Sequence, residues 1–273
     1  MAGELVWVDG AFVPTTEATV SVFDRGFTVG HGVFETLKAV DGAAFAVTRH
    51  LERLRTSAAA LDLDVRWTDD DLRGAVAGVL GTAERQRSRV RITVTGGEAP
   101  LGPDPGDATP TVVVAAGALE PAAPSAVACT APWPRNERSA VAGVKATSAA
   151  ESVRGMAYAR ARGCTEALFA TTTGLLSEGT SSNVFVVHDG LVRTPSLASG
   201  CLAGVTRGLV LEVVDVEEAA IAMAELATAD ELFLTSTTRD VQPVARLDDR
   251  DLPAPGPVTA KAMGAFARLG SDP

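Results

Sequence analysis

Three Asp-Gly dipeptides, each tied to short apolar runs, constrain the fold of this chain more than any other feature. Asp9-Gly10 lies between LVWV and AFV, Asp41-Gly42 lies between VFETLKAV and AAFAV, and Asp189-Gly190 follows NVFVVH. A two-residue loop of this kind takes positive φ at both positions, which Asp and Gly tolerate, and it joins neighbouring antiparallel strands. Both halves of the chain are therefore expected to contain antiparallel sheet. RVRITVT alternates like a strand, and TVVVAAG reads as a buried one. AVACT, EALFAT, NVFVV, ELFLTS and VQPVARL read as strands in the second half.

Helical patterns interrupt these strands. One starts at about Thr48 and places Leu51, Leu54, Ala58 and Leu61 on one face. Another starts near Thr68, with Asp69, Asp70 and Asp71 in its first turn, where the helix dipole favours acids. The stretches after Lys145, after Val205 and from Val258 also read as helices. GGEAPLGPDPGDATP is a Gly/Pro-rich loop, and Glu120 to Ser125 reads as a linker. The expected architecture is α/β (α+β) in two lobes: a small N-terminal lobe over 1–119, a linker over 120–125, and a larger lobe over 126–273. A cleft between lobes is a common place for a small-molecule site.

Composition excludes several classes. The net charge of -10 disfavours nucleic acid, whose phosphates need a basic face. No run of about 18 uncharged apolar residues is present, so no transmembrane helix is expected. MAGELVWVDG lacks the basic start and apolar stretch of a secretory signal. Cys129, Cys164 and Cys201 form neither a disulfide framework nor a zinc pattern, and they suit a reducing cytoplasm. The histidines His31, His50 and His188 have no metal-ligand spacing.

Three segments point to chemistry. Of 24 basic residues only Lys38, Lys145 and Lys261 are lysines, so amine-nucleophile chemistry has few candidates. Lys145 follows the apolar run Val141-Ala142-Gly143-Val144. A surface lysine at a strand end is the alternative reading. In GLLSEGTSSNVFVV, Glu178 is expected in a turn, with Ser181, Ser182 and Asn183 as compact polar neighbours. A carboxylate there could hold a protonated ring nitrogen, or the segment could be an ordinary polar loop. In GCLAGVTRGLV a helix begins near Val205, and free amides at a helix start bind phosphate. GFTVGHGVFE has glycines resembling a dinucleotide loop, but a β-branched aromatic stretch follows it instead of a helix.

FDRGFTVGHGVFET, RHLERL, Lys145, LSEGTSSNVF, GCLAGVTR and LTSTTRDVQPV occur in that order. With them the chain resembles the class IV aminotransferases, a family that includes branched-chain aminotransferases, D-amino-acid transaminases and aminodeoxychorismate lyases. The resemblance covers nearly the whole chain. It implies a two-lobed fold type IV pyridoxal-phosphate enzyme with its site between the lobes. It implies that Lys145 carries the cofactor as a Schiff base and moves the proton. Glu178 would pair with the pyridine nitrogen. Arg53, Val205, Thr206 and Thr237 would bind the phosphate, and Leu202 would pack on the ring. Ser182 and Asn183 would complete the cofactor set.

Substrate residues are less determined by this resemblance. D-amino-acid transaminases carry an arginine and a histidine in the loop after the RVRITVT-like strand, where this chain has Leu101 and Pro103. Arg25 and Arg91 are candidate replacements for holding a substrate carboxylate, with Phe34 and Thr238 as further pocket residues. His31 stands where the family often has aspartate, and Ala149 where it often has tyrosine. The leading expectation is a transaminase for D-amino acids, extending to (R)-amines, with a keto acid acceptor. The alternative is a lyase giving 4-aminobenzoate and pyruvate. A cytoplasmic homodimer with shared active sites is implied by the same resemblance.

Overall fold

The computed structural model describes residues 4–83, 85–104 and 106–272. Residues 1–3, at the start read for a secretory signal, and Pro105, within the Gly/Pro-rich loop, lie outside the described residues. The chain divides into two compact units. The first comprises Met1–Glu120, Val144–Ser148 and Ser271–Pro273, and the second comprises Pro121–Gly143 and Ala149–Gly270. The chain passes from the first unit to the second after Glu120, and the short stretch around Lys145 groups with the first unit. The cause is local: the Phe34 amide donates to the Lys145 carbonyl at 3.0 Å, the Thr147 amide donates to the Gly32 carbonyl at 2.8 Å, and Val33 bridges Ala146.

The first unit contains β1 (Leu5–Val8), β2 (Ala11–Pro14), α1 (Arg25–Thr28), β3 (Gly32–Val40), β4 (Ala43–Ala44), α2 (Val47–Ala59), α3 (Asp69–Gly81), β5 (Arg87–Thr95) and β6 (Thr111–Ala118). Its strands form one antiparallel sheet in the order β2-β1-β6-β5-β3-β4. Asp9 and Gly10 have φ of 45° and 99°, and Asp41 and Gly42 have 48° and 80°, as a two-residue hairpin loop demands. The alternation of period two turns Val33, Leu37, Val90, Ile92, Val94, Val112 and Val114 to one face. Leu51, Leu54 and Ala58 of α2 and Leu72, Val76 and Val79 of α3 pack in the same core. β6 was expected to be buried throughout; its burial alternates instead, because helices cover only this one face.

α3 starts as its composition predicts. Thr68 caps it and Asp71 reciprocates, so two otherwise unsatisfied amides find partners. α2 has no such local cap, since Ala46 precedes it in the left-handed region at φ 54°. Its cap comes from far along the chain: Asp272 accepts from the Thr48 amide at 3.0 Å and from its hydroxyl at 2.6 Å.

The second unit contains β7 (Ala126–Thr130), α4 (Ala150–Arg160), β8 (Glu166–Ala170), β9 (Leu176–Gly179), β10 (Asn183–His188), β11 (Leu191–Pro195), α5 (Val205–Val213), β12 (Val216–Ala219), β13 (Glu231–Ser236), β14 (Asp240–Leu247), β15 (Arg250–Asp251) and α6 (Pro257–Phe266). The sheet order is β12-β11-β10-β13-β14-β7-β8-β9, with β15 added beside β14. The pairs β11-β12, β14-β7 and β7-β8 are parallel, so this sheet is mixed. β10 and β13 are buried along nearly their whole length, and Phe185 stacks on Phe233 at 4.6 Å. α5 and α6 pack against β13, so these strands have a covered face beyond the core on the other side. Among the described residues no helix is long and apolar enough to cross a membrane.

Candidate active site

The candidate residues fall in both units. In the first, Lys145 lies beside β3, half-buried, with its amide donating to Ser57 Oγ at 3.3 Å. Its ammonium stands 4.5 Å from the centre of the Phe34 ring. The Arg91 guanidinium lies 3.7 Å from the same ring, and Arg91 Nε donates to Thr93 Oγ1 at 3.2 Å. Phe34, Lys38, Arg89 and Arg91 share the sheet face away from the helices, and Lys38 stands opposite Arg89 in the ladder. Desolvation against the sheet, then the Arg89 charge, lowers the Arg91 pKa, although the residue as a whole is exposed. An added anion would relieve both effects.

Arg53 projects from α2 into an ion cluster that the sequence reading missed. Its Nε donates to Glu35 Oε1 at 2.7 Å and its Nη2 to Glu35 Oε2 at 2.8 Å. His50 Nδ1 meets Glu35 Oε2 at 2.7 Å. Burial alone would raise the Glu35 pKa; the Arg53 charge and hydrogen bond, joined by those of His50, reverse this and hold it at about 2. Burial lowers the His50 pKa against the pull of Glu35, and the Arg53 and Lys145 charges lower it further. The signal was present in the sequence: Glu35 falls in register with Val33, Leu37 and Ala39, which are core positions. A charge there needs a buried partner.

Arg25 was expected as a possible carboxylate trap, but its guanidinium already serves a loop. Nη2 donates to the Pro103 carbonyl at 3.0 Å, Nη1 to the carbonyls of Gly102 and Asp104, and Nε to His31 Nδ1 at 3.3 Å. The residue is buried. These bonds, three to loop carbonyls and one to His31, tie the Arg25 guanidinium to the loop after β5.

In the second unit, Glu178 lies on strand β9, where a turn was expected. Leu168 pairs with Gly179 and Ala170 with Leu176, with a shift of register between them, so Glu178 sits at an irregular point of this strand pair and the chain turns only after Gly179. Glu178 Oε2 accepts from the Leu202 amide at 2.9 Å and from Asn183 Nδ2 at 3.4 Å, while Oε1 pairs with Arg135. Asn183 Nδ2 also donates to the Leu202 carbonyl at 2.8 Å. Arg135 is a second residue missed in the sequence; it also reaches Glu151 at 2.7 Å and stacks on Phe169. No local pattern marks it out.

Thr206, a buried residue, follows Val205 in the first turn of α5. Gly204 caps this helix without a side chain to occupy its first amides. A methyl group at Gly204 would lie 2.0 Å from Asn183 Oδ1, so only glycine lets the helix start approach β10. Ser182 Oγ is buried without a hydrogen-bond partner. Thr237 and Thr238 lie in the turn between β13 and β14. That turn is tied down by Arg239, which pairs with the buried Glu166 at 2.6 Å and with Ser181 Oγ at 3.1 Å. In the second unit, a carboxylate gathered by amides, a helix start capped by glycine and an unpartnered buried hydroxyl are suited to a ring nitrogen and a phosphate such as those of pyridoxal phosphate; in the first, the Lys145 amine is suited to an aldehyde.

The amino-transferase class IV family matches residues 32–247. A Methanocaldococcus jannaschii protein, provisionally named a branched-chain-amino-acid aminotransferase, is 32% identical over 90% of this chain and 88% of its own length. A D-alanine aminotransferase of Bacillus licheniformis is 29% identical, over 96% of this chain and 95% of its own. The crystal structure of a branched-chain aminotransferase from Thermoproteus uzoniensis, with norvaline, superposes with a TM-score of 0.92 at 30% identity, covering 97% of this chain and 94% of that one. The match over residues 32–247 and the 32% identical relative covering 90% of the chain show that this chain belongs to the class IV aminotransferases, enzymes of fold type IV that use pyridoxal phosphate.

Proposed function

We propose that the chain is a transaminase whose donor is an α-amino acid held by its carboxylate at Arg91, with D-amino acids as the leading donors and simple (R)-amines as weaker ones. A keto acid is the acceptor. The observation that carries this reading is the Arg91–Phe34–Lys145 cluster: one aromatic ring has a guanidinium at 3.7 Å and an amine at 4.5 Å. An α-amino acid presents a carboxylate and an amine one carbon apart, which suits such a pair. The likeness to D-alanine aminotransferases over nearly the whole chain supports the D series. Branched-chain L-amino acids form the second reading, favoured by the Methanocaldococcus and Thermoproteus proteins.

When bound, pyridoxal phosphate supplies the aldehyde that takes up the amino group and a ring that accepts electrons from Cα. In this reading Lys145 would hold that aldehyde and, with its amine freed once the donor amine takes its place, would accept the donor Cα proton and hand it back on the product side. Glu178, fixed by Arg135 and the Leu202 amide, accepts the hydrogen bond of the ring nitrogen and keeps it protonated. Leu202 packs on the ring. Arg53, the Val205 and Thr206 amides and Thr237 hold the phosphate, with Ser182 and Asn183 shaping the same wall. Phe34 and Thr238 line the substrate side. A homodimer in the cytoplasm, with each site completed by the neighbouring subunit, is part of the proposal.

Arg91→Ala tests it. An arginine–carboxylate bond is worth roughly 1.5–3 kcal/mol, about ten- to a hundredfold in kcat/KM. The loss is expected on D-alanine and not on (R)-1-phenylethylamine. Equal loss on both would overturn Arg91 as the carboxylate contact. A single-turnover panel of D-alanine, L-leucine, (R)-1-phenylethylamine and aminodeoxychorismate separates the D reading from the branched-chain reading and from the lyase.

A further inference from the structure

His31 stands between two glycines where α1 meets β3, and its ring is held on both sides. Nδ1 lies 3.3 Å from Arg25 Nε, and Nε2 lies 2.8 Å from the Leu61 carbonyl oxygen. A guanidinium nitrogen can only donate, and a carbonyl oxygen can only accept. Nδ1 must therefore carry the lone pair and Nε2 the hydrogen. An imidazolium would set a second N–H against the Arg25 N–H and place two positive charges together.

The charged neighbours do little to offset that. Asp24 Oδ1 accepts from the Gly26 amide at 2.7 Å, and its Oδ2 accepts from Thr95 Oγ1 at 2.8 Å. Asp104 Oδ1 accepts from the Gly106 amide at 3.0 Å. Asp62, which follows Leu61, and Glu98, in the loop after β5, are exposed.

The flanking glycines carry the connection to the lysine. The Gly30 carbonyl accepts from Thr147 Oγ1 at 3.0 Å and from Ser148 Oγ at 2.9 Å. The Gly32 carbonyl accepts from the Thr147 amide at 2.8 Å and from its hydroxyl at 3.1 Å. Gly30 has a φ of 69°, and a methyl there would lie 2.4 Å from Ser148 Oγ. The backbone at 30–32 is shaped to receive the segment that contains Lys145. On its other side the His31 carbonyl accepts from the Gly96 amide at 2.9 Å.

We propose that His31 is a positioning residue for Lys145: its neutral Nε2–H form holds the Gly30–Gly32 turn that grips the Lys145 segment, and proton uptake loosens that grip. The proposal rests on the reading of Lys145 as the cofactor-bearing amine, but the mechanical link is testable apart from it.

Amide hydrogen exchange on the holoenzyme, corrected for intrinsic rates, should be read at Thr147, Phe34 and Gly96 at about pH 7.5 and about pH 5.5. In the wild type, protection at these amides should fall about tenfold in acid, the scale of one lost hydrogen bond, while Leu232 and Leu234 stay protected. His31→Asn keeps an acceptor for Arg25 and does not titrate, so its protection should be the same at both values. His31→Asn should also flatten the acid limb of the single-turnover profile. Unchanged wild-type protection, or the same fall in the asparagine variant, overturns the proposal. Should His31→Leu fold, it should show the low protection at both values. Borohydride labelling of Lys38 or Lys261 in place of Lys145 would sink the functional reading and leave the exchange result standing.

Discussion

Glu35→Gln is the substitution whose effect the structure constrains best. The carboxylate accepts two bonds from Arg53 and one from His50, at 2.7–2.8 Å, with no solvent exposure. A glutamine of the same shape keeps one acceptor and turns the other position into a donor. That donor must face an N–H of Arg53 or His50. Removing one partner of a buried ion pair costs about 3–5 kcal/mol. The pKa offers a second route to the magnitude: a fall from 4.5 to about 2 corresponds to on the order of 3 kcal/mol of stability. The sign follows from the direction. The folded value lies below the unfolded one, so this contribution is complete above pH 4.5 and fades as pH drops toward 2. His50 adds to it, since burial keeps it neutral in the fold and stability falls as pH drops below 6.5. Urea unfolding should follow tryptophan emission from the Trp7–Trp67 pair, whose rings sit 5.0 Å apart in the first unit. At about pH 7 the variant should lose about 3–5 kcal/mol, and its stability should decline less steeply in acid than that of the wild type. A loss under about 1 kcal/mol, or an unchanged acid slope, would refute the reasoning.

Further outcomes follow from the candidate site. Lys145→Ala should remove the visible absorption band of bound pyridoxal phosphate and all turnover, and borohydride should no longer fix cofactor to the protein. Persistence of the fixed label at Lys38 or Lys261 would contradict the assignment. Glu178→Gln should retain cofactor but slow the single-turnover rate by about a hundredfold or more, because an amide cannot stabilise the protonated ring nitrogen; an unchanged rate would remove Glu178 from that role. Gly204→Ala should weaken pyridoxamine phosphate binding by about ten- to a hundredfold, since the added methyl meets Asn183 Oδ1 at 2.0 Å and overpacking costs about 1–3 kcal/mol. Equal affinity in a fluorescence titration would mean that the α5 start does not contact phosphate.

Local chemistry made much of this architecture legible. Asp9-Gly10, Asp41-Gly42 and Asp189-Gly190 encode their hairpins through backbone conformations that few other pairs adopt. Thr68 and the three aspartates after it announce α3 through capping and dipole alone. Readings that needed a partner from distant sequence fared differently. Glu178 was expected in a turn because its polar neighbours suggest one, but the ladder with β8 takes precedence. Arg25 carried no mark of the carbonyls it binds, which lie 77 to 79 residues away. The hub at Glu35 was visible as a charge in an apolar register, whereas its partners on α2 were not. The grouping of Lys145 with the first unit depends on backbone bonds to β3 that no local pattern encodes.

The capping of α2 has a consequence for how the protein is made. The helix that presents His50 and Arg53 receives the acceptor for its second amide, that of Thr48, from a residue 224 positions further on. While the chain is being synthesised, that helix start stays open to water until almost everything described here has left the ribosome. Its buried ions must meanwhile rely on packing against the sheet and α3, and domains generally fold as units from the N-terminal side during synthesis. The nascent first unit is thus a fold lacking its last fastener, and a truncation just before Ser271 would preserve that immature state permanently.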